Sequence, residues 1–417
     1  MQKRTLKLKN VVVDGKIVDA FISNGTYARI APNLADEAEE TIDFAGGRAL
    51  VPAFYNTHTH SAMTILRGYA DDLALFDWLN NHIWPVEATL SYDDIYIGAR
   101  LAMLEMLRSG IVCLNDSYWL PAATARAAAE MGLRGAVGLF RCGSADQTQA
   151  GYEAALAYES SLPSRVFYNI APHSVYTLSP KQLEEIAEEA RTTGRAIQVH
   201  ASETADEVAN CRKSYGMTPI QLLEKCGLLD ERTVLAHCVH LTPEDIEILA
   251  RTKAVIAHNP VSNAKLCSGM FDLAGTIAGG CRVTIGTDGC ASNNCLSMFD
   301  EKKAAALTAK IRTQDPTAGP ASLIYDLATR QGALAMGLDA GEIAPGKLAD
   351  GILLDLSHPI LSANYNLVSD LVYAADPSVV TDVLCDGAFV LRNGHVPGEA
   401  EILADARRVC ARIKAHA

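Results

Sequence analysis

A chain of 417 residues with 49% hydrophobic content is long enough for a large core of roughly 250 residues and a smaller domain beside it. Its 36 Lys and Arg against 49 Asp and Glu give a formal net charge of −13, which argues against a nucleic-acid partner, because phosphate binding needs a basic face. The opening residues (MQKRTLKLKNVVVDGKIVDA) lack the apolar core of a signal peptide and no stretch approaches transmembrane length, so the expectation is a cytoplasmic protein without membrane partners.

Residues 1–49 are rich in Val, Ile and turn pairs such as Asp14-Gly15 and Asn24-Gly25, and read as β-hairpins. The apolar run of Ala49–Asn56 is the first buried strand, and His58 and His60 follow it. Residues i and i+2 on extended chain project to the same side, so these two imidazoles can bite one metal ion. Further strand candidates are Ile111–Asn115, Gly135–Phe140, Val166–Ala171, Ala196–His200, Thr233–His237, Ala254–His258 and Arg282–Asp288. Helical spacing marks Tyr92–Arg108, Pro121–Met131, Pro180–Thr192 and Pro243–Ala250 between them. Eight strands alternating with helices predict a (β/α)8 TIM-like barrel over residues 50–345. Residues 346–400 again carry Val, Ile and turn pairs, here Asp386-Gly387 and Asn393-Gly394. Neither flank is long enough for a comfortable core, so the two are expected to pair as a small β-sandwich domain built from both chain ends, followed by a C-terminal helix over 401–417.

Functional groups of a parallel α/β barrel sit at the carboxyl ends of its strands. Here short apolar runs lead into His58 and His60, into His200 with Glu203 three residues on, into His237 and into Asp288, with His173 after the fourth strand. Imidazole and carboxylate without thiolate suit zinc, with iron as the second choice, and leave a position open for water. Hydrolysis follows more naturally than redox chemistry. Glu203 is placed to pass a proton, against the plainer reading of a helix-start cap. Arg141, just past the third strand, is a cation that can meet a substrate carboxylate. His82, His240 and His258 read as packing, hydrogen-bonding or bracing histidines. The eleven cysteines, odd in number and without a CxxC pair, read as reduced thiols.

The segments NTHTHSAMTILRGYADDLALFDWLNNHIWPVEA (Asn56–Ala88), VHASET (Val199–Thr204), LAHCVHLT (Leu235–Thr242), HNPVSNAKLCSG (His258–Gly269), TIGTDGCASNN (Thr284–Asn294) and GEIAPGKLADGILLD together resemble the amidohydrolase superfamily. Within it the chain resembles the deaminases of S-adenosylhomocysteine and methylthioadenosine, in the cytosine, guanine and triazine branch, over essentially its whole length. The resemblance implies His58, His60, His200 and Asp288 as metal ligands, Glu203 as proton shuttle, and His237 with Asp288 as the groups that deprotonate and orient the water. It implies Glu87, in the turn that begins at Trp84, as the holder of the ribose hydroxyls, Trp84 as a second substrate contact, and His173 as a contact to the nucleoside. Ala171-Pro172-His173 stands where two-metal members carry a carboxylated Lys, which implies one divalent ion. The implied reaction is hydrolytic deamination of an adenine nucleoside to its inosine derivative plus ammonia. S-adenosylhomocysteine, 5′-methylthioadenosine, adenosine and 5′-deoxyadenosine are the candidate substrates, and a homo-oligomer is compatible with the pattern. Trp119 at the second strand exit and Cys290 and Cys295 after the eighth depart from the family pattern, so the pocket shape is open. Two alternatives stand beside this reading: an aminohydrolase or chlorohydrolase of another heterocycle (triazine, pterin, guanine or cytosine), and a non-catalytic, metal-braced assembly protein.

Overall fold

The structure, a computed structural model, describes residues 5–143 and 145–416. It opens with β1 (Leu6–Val13), β2 (Lys16–Ser23), β3 (Thr26–Ala31), β4 (Glu40–Asp43) and β5 (Arg48–Pro52). Asp14 and Gly15 have φ of 47° and 74°, and Asn24 and Gly25 have φ of 54° and 78°. Positive φ at both central residues is what a tight two-residue hairpin turn requires, and Asp, Asn and Gly supply it with least strain.

The barrel strands are β6 (Phe54–His60), β7 (Ile111–Asp116), β8 (Arg134–Arg141), β9 (Val166–Pro172), β10 (Ile197–Ala201), β11 (Thr233–His237), β12 (Val255–His258), β13 (Arg282–Ile285) and the two-residue β14 (Asp288–Gly289). They form one parallel sheet in the order β13-β12-β11-β10-β9-β8-β7-β6-β14. The two edges of that sheet are halves of one segment, residues 282–289, so the sheet curls back on itself as a TIM-like barrel with eight strand positions. The segment breaks at Gly286, where a Cβ would come within 2.4 Å of Asn259 Oδ1 and 2.9 Å of the His58 nitrogen. Only glycine allows the chain that close to β6.

The expected first strand, Ala49–Asn56, is in fact two. Pro52 ends β5, Ala53 is the joint, and the Phe54 N–H bonds the Gly110 carbonyl to start β6. Apolar content runs unbroken across that joint, and it is hydrogen-bonding partners that change.

The chain closes with β15 (Gly351–Asp355), β16 (Val380–Cys385), β17 (Ala388–Leu391) and the helix Glu399–His416. Both ends meet in one eight-stranded sheet, β17-β16-β15-β5-β1-β2-β3, with β4 on β1. It has an apolar core of its own around Leu8, Ile22, Tyr27, Leu50 and Leu353. The hydrogen bonding links all eight strands in one sheet. A buried ion pair locks it to the barrel: Asp350 accepts from Arg134 Nε at 2.8 Å and Nη2 at 3.0 Å and from the Tyr55 hydroxyl at 2.8 Å.

Inside the barrel, beneath the site, the side chains are polar and mutually bonded. Asn169 donates to Asn115 Oδ1 at 2.7 Å, Asn115 to the Thr57 carbonyl at 2.9 Å and Asn56 to Thr287 Oγ1 at 2.7 Å. Buried amides with partners make a rigid floor, because breaking any one strands another. Four helices begin with full reciprocal caps, in which the third helical residue reaches back to the backbone N–H of the capping residue: Ser91 with Asp94, Ser179 with Gln182, Thr218 with Gln221 and Thr242 with Asp245. No helix among the described residues is long and apolar enough to cross a membrane, and all eleven cysteines are free.

Candidate metal centre and substrate cleft

Four donor residues, His58, His200, His237 and Asp288, offer ligand atoms that all lie within 4.8 Å of one another, and all four are buried. His60 adds a fifth donor, its Nε2 standing 3.1 Å from His200 Nε2 and 3.2 Å from Asp288 Oδ1. Donors held about 2.1 Å from one tetrahedral ion stand about 3.4 Å apart, so these spacings are those of a ligand shell. Each comes from a strand end: β6, β10, β11 and β14. The backbone is bent to deliver them, with Ser202, His237, Cys238 and Asp288 at φ of 52°, 74°, 49° and 59°. Non-glycine residues in that region cost on the order of 1–3 kcal/mol each, a strain that the surrounding fold must impose.

Hydrogen bonds set which ring nitrogen of each histidine faces inward. His200 Nδ1 bonds the His173 carbonyl at 2.8 Å and His60 Nδ1 bonds the Ser117 carbonyl, so each Nδ1 carries the proton and each Nε2 is left as a lone-pair donor. His58 is 1% exposed, its Nδ1 has no hydrogen-bond partner, and its Nε2 stands 3.5 Å from Asp288 Oδ1, at the limit of hydrogen bonding. A buried imidazole so weakly paired is costly, and a cation bound to one of its nitrogens satisfies it. Burial brings the His58 imidazole down to about 4 and holds His200 well below its ordinary range, which leaves both neutral, as ligation requires. Burial alone would raise Asp288, but His58 and His60 hold it well below the usual carboxylate range. Its Oδ2 also accepts the Ser262 hydroxyl at 2.6 Å and the Ser292 hydroxyl at 2.8 Å. The donor set fits one divalent ion.

Glu203 and His237 stand over this cluster. His237 Nδ1 is 2.8 Å from Asn263 Oδ1, which puts the proton on Nδ1 and turns Nε2 toward Glu203 Oε2 at 3.8 Å and Asp288 Oδ2 at 4.0 Å. Glu203 Oε1 accepts from the Ser268 hydroxyl at 3.0 Å, and burial raises its carboxyl.

A cleft of about 550 Å³, counted to its open mouth, begins at these residues. His173, Trp84 and Glu87 all line it. The Trp84 and His173 rings are edge to face with centroids 6.4 Å apart, and burial lowers His173 to about 3. Glu87 is 7% exposed with Oε1 unpaired, and burial pushes it up to about 7 against the pull of Tyr118 and Trp119. The remaining walls are largely apolar and aromatic, including Met63, Leu75, Trp78, Trp119, Phe140 and Leu266. Trp78 lies in a π-helical turn, Trp78–Ile83, of the kind common at functional sites.

Arg141 is the exception among the expected site residues. Its guanidinium lies 3.8 Å from the centre of the Tyr152 ring and 3.3 Å from Glu189 Oε2, on the helical side of β8. Side chains alternate along a strand, and Phe140 takes the cleft side, so its neighbour must point away. The structure thus engages Arg141 with Tyr152 and Glu189, apart from the residues that line the cleft. Arg141→Met is expected to lower the thermal midpoint by a few degrees through lost packing while leaving the ratio of kcat/KM among substrates unchanged; a change confined to one substrate would return Arg141 to the cleft.

Asn263, Ser262, Ser268 and Ser292 were not anticipated. The first three fall in His258–Gly269, one of the segments that carries the family resemblance, so a signal existed for the segment but none for the individual side chains. Met63 and Trp78 likewise fall within Asn56–Ala88.

Residues 49–390 match the amidohydrolase family. A 5′-deoxyadenosine deaminase of Methanothermobacter thermautotrophicus is 41% identical over 90% of this chain and 90% of its own. A 5-methylthioadenosine/S-adenosylhomocysteine deaminase of Thermococcus sibiricus is 41% identical over 89% of each. Among solved structures, an adenosine deaminase from Xanthomonas campestris with bound zinc superposes with a TM-score of 0.92 at 32% identity, covering 98% of both chains.

Proposed function

The chain belongs to the amidohydrolase family, and from that premise we infer that it is a metal-dependent deaminase that converts an adenine nucleoside to its inosine derivative and ammonia. The observation that carries the reading is one cluster, in which four metal-type donors (His58, His60, His200 and Asp288), a buried carboxyl (Glu203) and an oriented imidazole (His237) close the end of a cleft with largely apolar and aromatic walls.

In this reading His58, His60, His200 and Asp288 hold the ion, which is zinc by the chemistry of an imidazole and carboxylate set. When bound, the ion supplies acidification and positioning of the attacking water. His237, its proton fixed on Nδ1 by Asn263, accepts a hydrogen bond from that water through Nε2, and the Asp288 carboxylate shares the proton released. Glu203, kept protonated more readily by burial, delivers a proton to purine N1 as oxygen adds to C6. The proton taken up at Asp288 passes to the C6 amino nitrogen, the adduct hydroxyl gives up its own proton and so restores Glu203, and the C6–N bond breaks as the carbonyl forms and ammonia leaves. Glu87 accepts from the ribose hydroxyls, and Trp84, His173 and Phe140 flank the nucleoside.

The 5′ substituent follows from the walls. Among the described residues that line the cleft there is no Lys or Arg. A methylthio or methyl group meets apolar side chains there, whereas a homocysteine carboxylate finds no cation. Deamination of 5′-methylthioadenosine and 5′-deoxyadenosine is expected to exceed that of S-adenosylhomocysteine by at least roughly tenfold in kcat/KM, the discrimination an unpaired charged group imposes. The test is a panel of 5′-substituted adenosines with guanine, cytosine and triazines, followed by ammonia release and the ultraviolet shift from adenine to hypoxanthine. Turnover of a free base or triazine in preference to every nucleoside, with Glu87→Ala as active as the parent, would overturn the nucleoside reading.

A further inference from the structure

We propose that Glu207 is a positioning residue that clamps the backbone of the Glu203 turn and so aims the Glu203 carboxylate at the base, an inference that rests on reading Glu203 as the proton carrier. Glu207 is 3% exposed and lies in the first turn of the helix Ala205–Tyr215. Its Oε2 accepts from the Glu203 N–H at 2.7 Å and its Oε1 from the Ser202 N–H at 3.1 Å.

An ordinary helix start does not account for this pairing. Thr204 is the capping residue and its hydroxyl accepts from the Glu207 N–H at 3.2 Å, as in the four helices with full caps. In those four, the third helical residue returns the bond to the N–H of the capping residue itself. Glu207 passes Thr204 by and takes the two N–H groups before it. Those two belong to the turn that carries Glu203 off the end of β10, in which Ser202 is held at a φ of 52°. One carboxylate bonded to two successive N–H groups stabilises that unfavourable conformation directly.

The geometry at the other end of Glu203 makes the clamp matter. Its carboxylate is held by a single bond from Ser268 and stands 3.8 Å from His237 Nε2. With the head held at one point, the direction of the side chain depends on where its Cα sits, and the Glu207 bond to the Glu203 N–H sets that. Burial pushes Glu207 up to about 7, so the clamp is a costly acid with no role as a surface charge.

The test is a double-mutant cycle on the metal-loaded enzyme. E207Q keeps the side-chain shape but can accept only one of the two N–H groups. It is expected to lower kcat by roughly 10- to 100-fold, the scale for misplacing a reacting group, with KM within about twofold and the metal content unchanged. In an E203Q background the same change should have little further effect, because Glu207 acts through Glu203. An equal loss in both backgrounds, or a lowered thermal midpoint with kcat intact, would overturn the proposal and leave Glu207 a structural cap. E203Q at the parental rate would overturn the reading of Glu203 and the proposal with it. If E207Q does not fold, the cycle is run with E207D, which keeps the charge one methylene short; failure of both to fold assigns Glu207 to the fold and also overturns the proposal.

Discussion

Glu203→Gln is expected to lower kcat by at least roughly 100-fold with metal content and thermal midpoint near those of the parent, as for the loss of a general acid–base group. The substitution keeps the acceptor that receives the Ser268 hydroxyl, so the local fold has no reason to move. What it removes is the exchangeable proton of a buried carboxyl, 3.8 Å from His237 Nε2. KM should change little, because the bond to N1 forms as the reaction proceeds rather than on binding. Steady-state kinetics on 5′-methylthioadenosine, beside metal analysis of the same sample, decides it. A rate within a few-fold of the parent would return Glu203 to the plainer role of helix-start residue.

Chelation should have the larger effect: complete loss of turnover, with recovery on adding back one equivalent of zinc. A second readout is stability. Occupied at about 100 times its dissociation constant, a site that exists only in the folded chain stabilises by about 2.7 kcal/mol, so stripping the ion should lower the thermal midpoint by several degrees. His58 explains why that loss falls on the fold and not on activity alone, since its ring is buried with Nδ1 unpaired and Nε2 no nearer than 3.5 Å to Asp288 Oδ1. Full activity after exhaustive chelation would overturn the metal reading, and two ions per chain would overturn the single-ion one.

The parts of this molecule that were readable from sequence are those in which local pattern and chemistry coincide. An apolar run followed at once by His or Asp marks both a buried strand and its functional end, which is why His58, His60, His200, His237 and Asp288 could be named in advance and the structure brings them together. The turn pairs Asp14-Gly15, Asn24-Gly25, Asp386-Gly387 and Asn393-Gly394 could be read because so few residues tolerate positive φ. Arg141 could not, since composition gives the presence of a cation and only strand register gives its side, and a shift of one residue exchanges cleft for helix layer. The break at Ala53 was invisible because hydrophobicity does not change there; the pairing partner does. Glu207 escaped for a related reason: its role lies in bonds to backbone N–H groups, which no sequence displays.

The joining of both chain ends in one sheet sets an order of events during synthesis. β5 lies against β15, with Arg48 bonded to Asp355 across 307 positions of chain. At the ~5–20 residues per second of translation, the N-terminal strands leave the ribosome roughly 15–60 s before their neighbour exists. Throughout that interval β5 presents an unpaired edge, the kind of surface on which chains stick to one another. The barrel needs nothing later than Gly289 to close its ring of strands. The domain begun first is thus the last to be finished, and its open edge outlasts that of the barrel, whose β6 finds its partner by Gly289.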